Sequence, residues 1–186
     1  MFNQIASSIR VAVFTMLLCC AVYPLAILSF AKEAAPVKAD ASLVHDAKGV
    51  LVGSSLIAQN FSSPKYFWPR PSAADYNAAS AGGSNLSPAN PKLRDRALET
   101  ISKFKLSSGV KIPADLVTTS GSGLDPHISL ESAMFQAERV ADAQGLRSDA
   151  IVKLIEGKAE RPGGFLCSGP VVNVLLLNME LDALRK

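Results

Sequence analysis

Apolar and polar positions follow three different rhythms along this chain, and each predicts a different element. The first is an unbroken apolar stretch: between Arg10 and Lys32 lie 21 residues without a charge. At about 1.5 Å rise per residue they span roughly the 30 Å hydrocarbon core of a bilayer. Residues 11–31 are therefore predicted to form a transmembrane helix, preceded by a tail of residues 1–10. Pro24 lies inside the run. A proline removes a backbone donor and crowds the carbonyl four residues back, and in a membrane helix that carbonyl is satisfied locally or by a neighbouring helix. A kink near Tyr23-Pro24, with a partner packed against it, is the expectation. The alternative is a cleaved signal peptide processed near Ala31 or Ala35. The run is longer than the usual apolar region of about 7–15 residues, and no clean small-x-small site follows it. Arg10 stands before the span and Lys32 and Lys38 after it, so the Lys/Arg count is close to a tie and sets no orientation.

The other two rhythms belong to the rest of the chain, where periods of two and of 3.6 alternate. Residues 32–41 read as a short linker, and residues 42–186 as one α/β (mixed α+β) domain. Ser42–Val44 and Val50–Val52 flank Asp46-Ala47-Lys48-Gly49, a hairpin signal with Gly49 at the φ > 0 position. A second apolar piece, Ser55–Ala58, ends at Pro64. From Pro69 to Pro91 the chain reads as a long loop rich in Pro, Gly, Ser and Asn, which in a compact domain is uncommon unless functional or disordered. Asn90-Pro91 is a helix start, with Leu93, Ala97, Leu98, Ile101 and Phe104 as its apolar stripe and an end near Leu106. Residues 112–119 look extended, with Pro113 at an edge. Ser129 opens another helix, which Gly145 closes. Ser148 caps a shorter one carrying Ile151, Leu154 and Ile155. The final segment, from Pro170, reads as a strand followed by a helix.

Composition sharpens this picture. Of 19 Lys+Arg and 16 Asp+Glu, only Arg10 precedes Lys32, which leaves 18 basic and 16 acidic residues, a net +2, for residues 32–186. No second run of 18 apolar residues exists, so one span is expected. An overall charge of +3 is too small for a nucleic-acid binder, and no nucleic acid is expected as a partner. Three cysteines rule out a disulfide framework. With only His45 and His127 and no zinc-ligand spacing, no metal site is expected.

Two stretches carry candidate chemistry. Asp125, His127 and Ser129 lie close together after the run Ser120-Gly121-Ser122-Gly123. A membrane-anchored serine hydrolase using Ser122 or Ser129 with His127 is conceivable. No G-x-S-x-G elbow is present, and triad members normally meet through the fold instead of along one loop. The structural reading is a glycine-rich turn entering a helix, with Asp125 and Ser129 bonding local backbone. Ser120–Gly123, and equally Gly82, Gly83, Ser84 and Asn85, could cradle a phosphate through exposed N–H groups, but neither has a Walker lysine or a dinucleotide spacing. Arg70, between two prolines, is either an exposed anchor for a partner or a buried ion-pair member. Tyr66-Phe67-Trp68 reads as core.

Taken in order, the motifs form a series: Val22-Tyr23-Pro24-Leu25, Val52-Gly53-Ser54, Gln59-Asn60-Phe61, Tyr66-Phe67 with Arg70-Pro71-Ser72, Gly82-Gly83-Ser84-Asn85-Leu86, Asn90-Pro91, Ser122 through Ile128, Val172-Asn173-Val174 and Leu177-Asn178. Over almost the whole chain this series closely resembles the C-subunit family of the bacterial Kdp-type potassium-transporting ATPases. The chain departs from the family at Ala81, where a Ser is usual, at Leu176, where a Glu is usual, and at Cys167-Ser168-Gly169. The resemblance implies a non-catalytic accessory subunit, needed for assembly, of a high-affinity importer. A channel-like A subunit binds potassium and a B subunit hydrolyses ATP, with a small F subunit alongside and lipid around the span. It implies a catalytic-chaperone role that raises the B subunit's affinity for ATP, and a likeness of Gly82-Gly83-Ser84 to the signature loop of ABC transporters. It also implies placement in the bacterial inner membrane, with a cytoplasmic N-terminus and a periplasmic domain. The chain itself has neither an Asp-Lys-Thr-Gly phosphorylation motif nor a Thr-Val-Gly-Tyr-Gly filter. ATP is therefore expected to act through the B subunit, with no cofactor held firmly by this chain.

Overall fold

A computed structural model describes residues 2–105, 109–166 and 168–184. The chain divides into two compact units, one ending at Val44 and the other beginning at His45.

The first unit is dominated by helix. α1 (Phe2–Leu17) passes through a π turn at Leu18–Val22 into α2 (Tyr23–Ala34). Together they make 33 residues of continuous helix, long and apolar enough to cross a membrane, with none of its apolar window buried inside this chain. At about 1.5 Å per residue this is about 50 Å, so the helix extends beyond residues 11–31 at both ends. The disturbance expected at Tyr23-Pro24 takes the form of the π turn. The Tyr23 N–H reaches back five residues to the Leu18 carbonyl, which widens the turn just ahead of the proline ring. The segment read as a linker is partly helical: α2 runs on through Ala34, and α3 (Pro36–Ala39) follows a break at Ala35.

β1 (Leu43–His45) and β2 (Leu51–Ser54) pair as the expected hairpin. The Asp46 carboxylate accepts the N–H groups of Lys48 and Val50, and Gly49 takes φ +79°. No helix or strand follows until α4 (Pro91–Lys103), whose Asn90 side chain accepts the Lys92 N–H. α4 ends at Lys103, capped by Phe104, three residues short of the expected end; Leu106 itself lies outside the described residues.

Residues 112–119 are not extended. Pro113, at φ −56°, leads into a 3-10 turn at Ala114–Leu116 that buries Leu116 and turns Asp115 back toward the next strand. That strand, β3 (His127–Ser129), was not evident from sequence. It leads into α5 (Leu130–Gln144), where the Ser129 oxygen accepts the Ser132 N–H and Gly145 closes the helix at φ +68°. α6 (Ser148–Gly157) starts one residue earlier than a Ser148 cap would require. Arg147 is the cap residue, and its guanidinium instead holds Asp149 at 2.9 Å. β4 (Ala159–Glu160), β5 (Val171–Asn173) and α7 (Val174–Leu184) complete the chain, the last two being the predicted strand and helix.

β5 is the central strand of a three-stranded antiparallel sheet in the order β3-β5-β4, with Ile128 opposite Val172 and Ala159 opposite Val172 on the other side. α5 and α7 contact the sheet, and α6 packs against both. The core between them holds Ile128, Ala133, Val140, Ile151, Ile155, Val172, Leu177 and Leu181, with Phe67 and Leu116 inserted from the loops. Phe67 is held by an unusual device. The buried Asn178 amide accepts the Phe67 N–H at 2.9 Å and returns a bond to its carbonyl at 3.1 Å. The buried Gln136 amide does the same for Trp68, at 2.8 and 3.1 Å. Two side chains thus stand in for a neighbouring strand.

Candidate functional site

Nearly all the extramembrane residues singled out from sequence lie on two loops, 69–85 and 119–127, which the fold brings together. Arg70 follows the clamped Phe67-Trp68 pair, so its backbone is fixed from below. Its Nη1 lies 3.0 Å from Asp125 Oδ2, and Nη2 reaches the Thr119 carbonyl at 3.5 Å. Arg70 is thus a member of an ion pair, with its side chain 25% exposed. Asp125 also accepts the His127 N–H at 3.0 Å on its other oxygen, with His127 Nδ1 3.7 Å from the same atom. Burial works to raise the Asp125 pKa. The hydrogen bonds from His127 and Arg70, with the Arg70 charge, outweigh it and hold the carboxyl below the usual aspartate value.

Ser72 and Tyr76 complete the clamp; from sequence Ser72 stands out only within the Arg70-Pro71-Ser72 motif. The Ser72 hydroxyl donates to the Gly123 carbonyl at 2.7 Å and accepts the N–H groups of Ala74 and Tyr76. The Tyr76 hydroxyl donates to the Arg70 carbonyl at 2.9 Å, and burial with nearby Asp75 pushes its pKa up to about 12. The Ser120 N–H bonds the Pro71 carbonyl, and the Gly82 N–H bonds that of Ser122. A serine and a tyrosine inside a loop leave no periodicity to read, so no local pattern predicts these bonds for either of them.

The two glycine runs, separate candidates for a phosphate cradle, lie against one another. A Cβ on Gly83 would sit 2.8 Å from the Gly121 carbonyl oxygen, and one on Gly123 would sit 2.7 Å from that of Gly82. Gly123 also has φ +71°. Glycine is needed here for close backbone approach. Ser84 is half-buried, and Asn85 is exposed at φ +49°.

The hydroxyls considered for nucleophilic chemistry have structural partners. Ser129 Oγ donates to Asp115, whose carboxylate also takes the Ser129 N–H and the Ser132 hydroxyl. The Ser122 oxygen accepts the Leu124 N–H. Asp115 had no mark in the sequence either. Among the described residues no group of three or more His, Cys, Asp or Glu side chains converges as metal ligands. Arg139 lies across the Trp68 ring, 4.1 Å from its centroid, and ties the carbonyls of Pro64 and Tyr66; burial lowers its pKa to about 10. Tyr23 and Pro24 stand apart from all of this, in the membrane-length helix, and Cys167 lies outside the described residues.

Comparison with known proteins gives a consistent answer. The family model KdpC, described as the c chain of K+-transporting ATPase, matches residues 5–183. The potassium-transporting ATPase KdpC subunit of Parvibaculum lavamentivorans is 48% identical over 176 residues, covering 95% of this chain and 94% of the relative. That of a Caulobacter species is 49% identical over 178 residues, with 94% and 90% covered. That of Geobacter sulfurreducens is 46% identical over 188 residues, with 98% of each covered.

Proposed function

Because the chain belongs to the KdpC family of potassium-transporting ATPase subunits, we propose that it is the non-catalytic accessory subunit of its complex. In this reading α1 and α2 anchor it in the inner membrane with the N-terminus cytoplasmic, and the α/β unit sits on the periplasmic side. Its partners are the channel-like A subunit, the ATP-hydrolysing B subunit and the small F subunit.

The observation that supports a supporting role is how the charged and hydroxylic side chains of the loop cluster are used. Arg70, Ser72, Tyr76, Asp115, Asp125 and Ser129 all hold loops to one another or to a strand. The result is a stiff outer surface suited to contact. A periplasmic surface cannot reach cytoplasmic ATP. The catalytic-chaperone role, a raised ATP affinity of the B subunit, would then be a coupling free energy transmitted through the other subunits. Gly82–Asn85 would serve loop packing, with nucleotide held by the B subunit alone.

The test is purification of the intact chain from native membranes after protease treatment of spheroplasts from outside. Untreated membranes are expected to yield the chain with the other Kdp subunits. Treated spheroplasts are expected to yield it cut beyond residue 44. Isolation of the chain without those subunits would overturn the reading, and protection of residues 45–186 would reverse the orientation.

A further inference from the structure

We propose that the π turn before Pro24 is the docking point for a membrane helix of another subunit, which donates a hydrogen bond to the Cys19 carbonyl. The proposal rests on the reading that Phe2–Ala34 crosses the bilayer within the complex.

The donors around Cys19 can be counted. In a regular helix its carbonyl accepts the N–H of Tyr23, four residues on. Here that N–H goes to the Leu18 carbonyl. Five residues on stands Pro24, which has no N–H. Three residues on, Val22 lies inside the π turn, where an N–H bonds the carbonyl five residues back, which for Val22 is that of Leu17. No backbone donor of this helix remains for Cys19. The two aliphatic hydroxyls of residues 11–31 point elsewhere. Thr15 donates back to Val11 and Ala12, and Ser29 to Leu25.

In water such a carbonyl would be solvated at little cost. In hydrocarbon it has no solvent donor, and lipid tails offer none. No residue of the apolar window is buried within this chain, so the donor must come from another one. The donor group is expected to be neutral, because residues 11–31 carry no charge. A Ser or Thr hydroxyl, or an Asn or Gln amide, on an otherwise apolar helix has the matching chemistry. Cys19, Cys20 and Ala21 are small enough to let that helix come close. The proline would then be a device that exposes a backbone acceptor at one depth of the membrane.

The test uses the full chain expressed with the rest of its complex. A photoreactive residue at each of positions 16 through 23 is expected to give protein adducts concentrated on one side of the helix and lipid adducts on the other. Pro24→Ala restores the regular ladder without shortening the span. It is expected to lower retention of the chain in the complex about fivefold under detergent washing, the worth of one interhelical hydrogen bond. A carbonyl-labelled cysteine at position 19, with Cys20→Ala and Cys167→Ser, supplies a direct readout. Its amide band should lie lower in the complex than in the chain alone in bilayers, and Pro24→Ala should remove the difference. Adducts to lipid alone, or an unchanged band in a chain that still copurifies, would overturn the docking site and leave the subunit reading standing. Loss of copurification by the unmodified chain would overturn both.

Discussion

One carboxylate joins both loops of the extramembrane cluster. Asp125 accepts from Arg70 on one oxygen and from the His127 backbone on the other, so its ionised form is what the fold selects. A folded-state pKa below the ordinary aspartate value has a definite consequence for pH. The unfolded chain binds the proton more readily, so the stabilisation is fully present above about pH 4, the unfolded value, and is lost as pH falls through the lower folded value. Thermal unfolding of the intact chain in detergent should therefore show a stability loss below about pH 4 that Asp125→Asn reduces. An identical acid limb in the two proteins would show that Asp125 is not its source. The same residue shows a limit of sequence reading. Asp125 was recognised as a local backbone acceptor, but its pairing with Arg70 spans 55 positions, and no local pattern encodes it.

At the scale of elements, what was legible followed from how local the determinants are. Asn90 with Pro91, Ser129 with Gly145, and Asp46 with Gly49 each fix a helix end or a turn within a few residues, and each stands where the sequence put it. β3 was missed because three residues become a strand only by pairing with Val171–Asn173, more than forty positions later. The extended reading of 112–119 failed because Asp115 is drawn to Ser129 and Ser132 across the fold. Most distant from any pattern is the pairing of Phe67 and Trp68 with the amides of Asn178 and Gln136. Asn178 is 2% exposed, and Asn178→Ala would strand a buried N–H and a buried carbonyl. At about 1–3 kcal/mol for each unsatisfied group, the loss should be about 2–6 kcal/mol, measured by chemical unfolding. A change within about 0.5 kcal/mol would mean that water replaces the amide.

At the scale of the whole molecule, the two units have separate sources of stability. Among the described residues, every buried apolar one lies between Ala58 and Leu181, and the hairpin that begins at Leu43 is closed by its own turn. The long helix contributes no buried side chain from its apolar window. In the proposed membrane placement its free energy would come from transfer into hydrocarbon and from the helix proposed to meet it there. Removal of residues 1–41 retains the hairpin and the whole core. The truncated chain should unfold as cooperatively as the extramembrane unit of the intact chain, with a midpoint within about 3 °C of it, as for changes that touch no packed side chain. It should also be soluble without detergent. The same truncation removes the apolar span and the π turn before Pro24 together, so the remaining unit should no longer copurify with the membrane subunits. Calorimetry and copurification separate these effects. A marked fall in the midpoint would mean that the helix supports the core after all. Undiminished copurification would mean that the extramembrane surface alone holds the complex, leaving the helix as a tether only.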